Sequence, residues 1–332
     1  MASPAPLAPL RIGVIGGGPA GLVTLKYLST LQQHFPLLAP VDCRLYDAAT
    51  TLGGVFSSKI YEDAELVSSK YLTAFSDFRL PDLLPDFLPA VRYAQYLCDY
   101  AQHFGLNRKI ILGTRVTGVR KTTPGSKWVI EISSETGTHE WECDAVAVCT
   151  GMHDSAVVPV LAGSEVVLNQ AHSSNIKTRE DFPADGTVVV FGAGETGLDM
   201  AWLAVTSRAK RVVLSTRDGF FCGPKVRPEK VTILKCSLNP PIQIIPTPRV
   251  CGLPRHMLKS HNKPVDCSTA SLFDTAYVPP ILQRSPLLWW YYNAWIKVMH
   301  STISGTHAGP DQWVGNMHKE RKHVKSRKCI RS

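Results

Sequence analysis

Hydrophobic and polar positions follow the same order in two parts of the chain: a short apolar run, a glycine-rich turn, a stretch of helical periodicity and a second apolar run. Apolar residues at every position of a short run indicate a buried strand, whereas spacing by three and four indicates a helix. The predicted strand, helix and second strand are 11–15, 19–31 and 43–46 in the first part, and 187–191, 196–207 and 211–216 in the second.

The segment between these two parts carries further elements. Its continuous apolar run 144–149, ended by Thr150 and Gly151, is typical of a central strand in a parallel sheet. A helix is predicted at 93–104, and two outer strands at 116–120 and 128–133. After Gly219 the chain is rich in proline and basic residues, and the pattern predicts only an aromatic helix at 286–299. We therefore predict an α/β protein with two Rossmann-like units built on parallel sheets.

The first glycine-rich turn, VIGGGPAGL, has the spacing of a dinucleotide fingerprint. Gly16 permits the tight turn, Gly18 lets the backbone approach a pyrophosphate, and Gly21 lets the helix pack closely against the strand. The helix amino terminus then offers unpaired N–H groups to phosphate. Asp47, at the end of the second strand, is placed to accept hydrogen bonds from a ribose hydroxyl. A purely structural glycine turn is the alternative interpretation.

The second turn, FGAGETGLDM, repeats the spacing with Gly192, Gly194 and Gly197. Two such units predict two bound dinucleotides. The following strand ends in Thr216 and Arg217 rather than in an acid. An arginine at this place can pair with the 2'-phosphate of NADPH, whereas a carboxylate would favour NAD. An ordinary surface arginine, next to Asp218, is the other interpretation.

Composition narrows the classes of function. With 332 residues, 44% of them hydrophobic and 19% charged, the chain is long enough for two globular domains. The net charge of +9 is concentrated in the basic tail after residue 318, so no nucleic-acid partner is expected. Nine cysteines without a CxxC pair favour a reducing, cytoplasmic location. No signal peptide, membrane-spanning segment or metal-ligand spacing is evident, and burial of the aromatic helix is favoured over membrane-surface binding.

Five blocks of the sequence match, in order, the motifs of one family: LGGVF at 52–56, SSKYLTAFSDF at 68–78, YAQYLCDYAQHFGL at 93–106, DAVAVCTG at 144–151 and LSTRDG at 214–219. On these blocks the chain resembles the flavin-containing monooxygenases, the class B flavoprotein monooxygenases. His172 precedes the second turn where that family's FxGxxxH signature has its histidine, although the signature's Phe and Gly are Val166 and Leu168 here. The family's asparagine before the lysine of the second block is Val67.

The resemblance implies the remaining site residues and the reaction. Gly54, Val55 and Phe56, with Thr150 and Gly151, are expected to contact FAD. The catalytic candidates are His172, which the resemblance implies, and Ser68 and Ser69, either of which, or a backbone amide, would replace the missing asparagine. A polar residue that bridges two domains is the alternative interpretation of His172. NADPH would reduce FAD, and a C4a-hydroperoxyflavin would pass one oxygen atom of O2 to a small substrate by N- or S-oxygenation or Baeyer-Villiger insertion. A non-catalytic remnant that binds nucleotide weakly and another two-dinucleotide flavoprotein reductase are the alternatives.

The resemblance also implies a domain order. We expect an FAD-binding domain at 1–165, an NADPH-binding domain at 166–318 and the basic tail at 319–332. In the resembled family the chain returns after the NADPH domain to finish the FAD domain, and no such return is evident here. The FAD domain is therefore expected to be incomplete at its carboxyl-terminal end, while the oligomeric state stays open.

Overall fold

The computed structural model describes residues 8–36, 39–122, 127–216, 285–287, Pro264 and Trp290. Arg217, the basic tail and most of the predicted aromatic helix lie outside the described residues. The strands are β1 (Leu10–Ile15), β2 (Val41–Tyr46), β3 (Ile110–Ile111), β4 (Arg115–Lys121), β5 (Trp128–Ser134), β6 (Gly137–Cys143), β7 (Ala145–Val148), β8 (Thr187–Phe191) and β9 (Arg211–Ser215). The α-helices are α1 (Pro19–His34), α2 (Val55–Ser58), α3 (Lys70–Thr73), α4 (Ala90–His103) and α5 (Glu195–Val205).

The chain divides into two compact units. The first contains the described residues up to Glu65 together with Leu88–Lys177, and the second contains Leu66–Phe87 and the described residues from Thr178 onward. The segment that carries α3 therefore belongs to the same unit as the second glycine-rich turn. The domain borders predicted from the sequence, at residues 165 and 318, stay a prediction.

A four-stranded parallel sheet in the order β3-β2-β1-β7 forms the centre of the first unit. Val14 and Leu45 on this sheet are fully buried, as are Leu22 and Leu25 on α1. Burial of these aliphatic side chains is the main favourable term in holding a helix on a sheet. Because β1 pairs with β2 on one side and β7 on the other, the turn after β1 lies where the chain changes direction across the sheet. Ligands of open α/β sheets bind at such positions.

An antiparallel sheet in the order β4-β5-β6 is inserted between β3 and β7. Its buried residues form one hydrophobic cluster with Tyr46 of β2 in the parallel sheet: Ile130, Ile132, Trp141 and Cys143. The sequence pattern predicted β4 and β5 but missed β6, because most side chains of that strand are exposed and only Trp141 and Cys143 are buried. An edge strand with so few apolar positions gives little periodic signal.

The second unit repeats the strand, helix, strand order on a smaller scale. Strands β8 and β9 pair in parallel, in register from Thr187 opposite Arg211 to Phe191 opposite Ser215. Met200, Leu203 and Ala204 of α5 are buried, as is Leu214 of β9.

The predicted α/β class, with two parallel-sheet units, is confirmed. The principal predicted helices and strands lie within a few residues of the observed ones. In the described part of the chain, no helix combines the length and apolar character needed to cross a membrane.

Candidate dinucleotide sites

The turn after β1 is held in a conformation that only glycine fits at its first position. Gly16 has φ +111°, and its N–H donates to the carbonyl oxygen of Tyr46 at 2.9 Å. A side chain there would collide with the Cys149 carbonyl at the end of β7. Both the positive φ and the close approach of β7 therefore exclude larger residues.

Gly21 and Gly18 of the same turn have different surroundings. A Cβ on Gly21 would overlap the carbonyl oxygen of Gly16, so α1 packs directly on the turn. Gly18 is the residue before α1, and the nearest atom to a Cβ placed on it is the Cα of Gly54, 3.8 Å away. This glycine leaves an open approach to the helix amino terminus. No acidic residue lies in the first turn of α1, so its N–H groups and dipole are available to an anion.

The loop before α2 lies against this turn. The N–H of Gly53 donates to the carbonyl oxygen of Gly17 at 3.0 Å, and Gly54 has φ +59°. Val55 then begins α2, and the Phe56 ring packs edge-on against Tyr93 of α4 with 4.7 Å between centroids. Burial raises the pKa of the Tyr93 hydroxyl to about 12, so this contact is made by neutral rings at ordinary pH.

The residues after β7 complete the first candidate site. The N–H of Cys149 donates to the carbonyl oxygen of Ile15 at 2.8 Å, which places the ends of β1 and β7 side by side. Thr150 and Gly151 follow directly and are exposed, with Gly151 at φ +77°. The first unit thus brings the turn at Gly16, the Gly54 loop and the end of β7 to one edge of the sheet. Their contacts with FAD stay a prediction.

Asp47 makes two backbone contacts that the sequence did not reveal. Its carboxylate accepts the N–H of Gly17 and, at 2.7 Å, the N–H of Ala49. These bonds fasten the glycine-rich turn to the end of β2. Each carboxylate oxygen has a second lone pair, which a ribose hydroxyl can use. The predicted ribose contact of Asp47 stays a prediction.

The turn after β8 has the same local geometry. The N–H of Gly192 donates to the carbonyl oxygen of Ser215 at 2.9 Å, and Gly192 has φ +101°. A Cβ on Gly197 would overlap the carbonyl oxygen of Gly192, while one on Gly194 would meet nothing within 4 Å. Thr216 follows β9 beside this turn. A second open cradle therefore lies at the amino terminus of α5.

One residue distinguishes the second cradle from the first. Glu195 is the first residue of α5 and is exposed, whereas the first turn of α1 contains no acid. A carboxylate at this place competes with phosphate for the positive end of the helix. The sequence-based prediction did not include the acid at the start of this helix, although Glu195 stands within the motif GAGETG.

The three catalytic candidates are divided between the two units, with His172 in the first and the two serines in the second. His172, half-buried in the first unit, caps a short 3-10 turn: its Nδ1 accepts the N–H of Ser174 at 3.2 Å and lies 2.9 Å from the Ser174 hydroxyl. Ser68 and Ser69 belong to the second unit. The Ser68 hydroxyl lies 2.7 Å from that of Thr73, and Ser69 is fully buried immediately before α3. Their catalytic roles stay predictions.

Lys70, next to these serines, organises its segment. Its side chain is 4% exposed, and its ammonium donates to the carbonyl oxygens of Asp82 at 2.8 Å and Leu84 at 2.5 Å. The ammonium also lies 3.4 Å from the Asp86 carboxylate. A buried cation is retained only when it is paired in this way. The sequence pattern placed Lys70 in a family motif but did not predict that its side chain is buried.

A cavity of about 810 Å³ lies in the first unit beside α2. Ser57, Tyr61, Glu62 and Lys177 are among the residues that line it. The Lys177 ammonium donates to the carbonyl oxygens of Ser58 and Ile60, at 3.2 Å each. Among the described residues, no group of three or more side chains is arranged to hold a metal ion.

Comparison with known proteins identifies a family that this chain matches. The model of the family described as flavin-binding monooxygenase-like matches residues 10–228. The monooxygenase cfoE of Aspergillus candidus is 42% identical over 317 residues, which are 95% of this chain and 50% of that protein. The chain thus spans about half the length of such relatives.

Solved structures share the fold. The S-allyl-L-cysteine S-oxygenase of Allium sativum superposes with a TM-score of 0.56 at 19% identity, covering 68% of this chain and 55% of that structure. The structure of OTEMO in complex with FAD and NADP superposes with a TM-score of 0.52 at 19% identity, covering 66% and 41%.

Proposed function

Because the chain belongs to the flavin-binding monooxygenase-like family, we propose that it binds FAD at the first glycine-rich turn and NADPH at the second. With these cofactors it acts as an oxidoreductase that transfers one oxygen atom from O2 to a small organic substrate. FAD, once reduced by NADPH, would provide the chemistry that activates O2. The chain would bind and orient both cofactors and keep water away from the reacting atoms.

The observation that carries this proposal is the matched geometry of the two turns. In both, the first glycine has a positive φ, the third glycine leaves no room for a side chain, and the second is open at a helix amino terminus. Two independent cradles of this kind suit two dinucleotides. The complex of OTEMO with both FAD and NADP supports the same pairing.

Each chain segment has a role in the proposal. The N–H groups at the start of α1 bind the FAD pyrophosphate through the opening at Gly18, and Gly54 provides the facing wall. Phe56 and Tyr93 support that wall by ring packing. Arg217, just after Thr216, pairs with the 2'-phosphate of NADPH. The FAD-binding part is 1–165 and the NADPH-binding part 166–318.

The substrate proposed is a small molecule with a soft sulfur or nitrogen atom, or a ketone. The name of the Allium sativum protein supports sulfur oxygenation. His172 in the first unit, and separately Ser68 and Ser69 in the second, are the residues proposed to be catalytic.

The proposal is tested by the absorbance spectrum of the purified protein, before and after addition of FAD. A flavin spectrum that bleaches with NADPH under anaerobic conditions is expected. Incorporation of one labelled atom from ¹⁸O₂ into a sulfide substrate then identifies a monooxygenase. A protein that no added FAD renders yellow would refute the proposal in favour of a non-catalytic remnant, and flavin reduction without label in the product would favour a reductase.

The choice of nicotinamide cofactor is tested with Arg217→Ala. The variant is expected to bind NADPH at least tenfold more weakly while its binding of NADH changes little, because only NADPH carries the 2'-phosphate. An unchanged preference for NADPH would show that Arg217 does not recognise the phosphate.

A further inference from the structure

A cysteine, a lysine and a serine meet in the first unit, outside its glycine-rich turn. Cys43 of β2 is 1% exposed. The Lys109 ammonium lies 3.6 Å from the Cys43 sulfur and 3.1 Å from the Ser29 hydroxyl, and that hydroxyl lies 3.4 Å from the sulfur. Lys109 ends the short 3-10 turn before β3, and Ser29 lies on α1. Three elements therefore place a thiol, an amine and a hydroxyl in mutual contact.

We propose that this cluster is a redox modification site, at which peroxide joins Cys43 to Lys109 through a single oxygen atom, as an N–O–S bridge. The proposal goes beyond the monooxygenase function and does not depend on it. The distance of 3.6 Å favours an inserted oxygen, because a direct nitrogen–sulfur bond needs a closer approach of the two side chains.

The chemistry consumes two molecules of hydrogen peroxide. The first oxidises the Cys43 thiol to a sulfenic acid, Cys–SOH, and is reduced to water. Lys109 then loses a proton to become the free amine. The second peroxide removes two electrons as the N–O bond forms, the sulfenic O–H and one N–H break, and two further waters leave. Thiol, amine and two peroxides thus yield one bridge and three waters.

Access and geometry both suit this reaction. The sulfur is buried, but Lys109 and Ser29, which contact it, are each half-exposed. The proposed approach of hydrogen peroxide to the sulfur is past these two side chains. Cys43, like the other described cysteines Cys98, Cys143 and Cys149, forms no disulfide.

A bridge would have a structural consequence. Cys43 and Lys109 are 66 positions apart, so the bond would close a long loop that contains α2, α3 and α4. Cross-links of this kind stabilise mainly by restricting the unfolded chain. We expect the melting temperature of the oxidised protein to rise by about 5–10 °C, and to return to its starting value after reduction.

The test treats the full chain with hydrogen peroxide under native conditions, removes the oxidant with catalase and analyses tryptic peptides by tandem mass spectrometry. The expected product joins peptide 27–44 to peptide 109–115, with a mass gain of one oxygen and a loss of two hydrogens. Dithiothreitol should release both peptides unmodified.

Two variants sharpen the test. Lys109→Arg retains the charge and hydrogen-bond donors but has no primary amine, and it should give neither the joined peptide nor the rise in melting temperature. Cys98→Ser, which changes a half-buried cysteine elsewhere in the unit, should behave like the parent protein. The peptide sequence in the parent protein identifies the joined residues even if a variant fails to fold.

Three results would overturn the proposal. One is a Cys43 that takes up oxygen as sulfinic acid, or remains a thiol, without any joined peptide. Another is a joined peptide that has lost two hydrogens without gaining oxygen, which would indicate a direct sulfur–nitrogen bond. The third is the same modification in Lys109→Arg.

Discussion

Individual glycines in the two turns fall into those whose surroundings leave no room for a side chain and those with open space around them. Gly16, Gly21 and Gly197 have no room for a side chain because backbone atoms of their own turn or of a neighbouring strand fill the place. A Cβ placed on Gly18 would meet no atom closer than 3.8 Å, and one placed on Gly194 would meet nothing within 4 Å. Packing therefore does not explain glycine at Gly18 and Gly194, whereas the proposed binding of a phosphate there would explain it.

This contrast predicts opposite outcomes for two substitutions. Gly18→Val should fold with little change in melting temperature but bind FAD at least tenfold more weakly, because the new side chain occupies the path of the pyrophosphate. Gly21→Ala should instead destabilise the protein by about 3 kcal/mol through its clash with Gly16. Flavin titration and thermal unfolding of both variants provide the check. Retention of FAD by a folded Gly18→Val protein would contradict the proposed site.

Glu195 provides a second prediction at the scale of one residue. Glu195→Gln should lower the Kd for NADPH about two- to fivefold, because a carboxylate at the first position of α5 opposes phosphate at the positive end of the helix. The gain should shrink as salt is added. Glu180→Gln, which removes an acid elsewhere in the second unit, is the control. An equal gain in both variants would point to a general effect of net charge.

At the scale of elements, the segment 66–87 is organised around a buried cation rather than an apolar core. The Lys70 ammonium donates to the carbonyl oxygens of Asp82 and Leu84, which are 12 and 14 positions away in the sequence. The backbone N–H of Lys70 donates to the carbonyl oxygen of Asp86 at 2.6 Å. Arg79 adds a bond to the carbonyl oxygen of Tyr71 at 2.8 Å. The one helix in the segment is the four-residue α3, and the bonds of Lys70 link this helix to the residues around position 84.

Removal of that cation should open the segment. Lys70→Met leaves the carbonyl oxygens of Asp82 and Leu84 without their donor, at a cost of about 2–4 kcal/mol. Trypsin should then cut after Arg79 at least tenfold faster than in the parent protein. Lys59→Met, outside the segment, should leave the rate of cleavage at Arg79 unchanged. An unaltered rate in Lys70→Met would show that other contacts hold the segment.

At the scale of the whole molecule, the described residues include an exposed apolar segment at 148–168. Within 148–168, Val157, Val160 and Leu168 are 83%, 101% and 97% exposed. Isolated apolar residues are common on protein surfaces, but several in one segment indicate a surface that binds apolar groups.

This surface predicts binding of the dye anilinonaphthalene sulfonate. The triple variant Val157→Ser, Val160→Ser and Leu168→Ser should reduce the dye's fluorescence at least twofold and change the free energy of unfolding by less than about 1 kcal/mol, since these side chains bury little surface. Leu83→Ser, which removes a fully exposed leucine outside the segment, should leave the fluorescence nearly unchanged. Equal loss in both variants would show that the dye does not recognise the segment.

Sequence patterns were sufficient for the repeated strand, glycine turn and helix, and for the family, which is confirmed. The reason is that periodicity and glycine spacing are local properties, encoded within about 30 residues. The predicted enzyme class, a flavin monooxygenase, is likewise supported through that family.

Only the tertiary structure decided features that join distant residues. It placed β6 in the antiparallel sheet, bound the Asp47 carboxylate to Gly17, buried Lys70 among carbonyl oxygens, and brought Lys109 to Cys43. Each depends on which strands pair and on how a side chain reaches across the fold. The residues next to each of these positions in the sequence do not predict the contacts, because the contacts arise from packing between segments far apart in the chain.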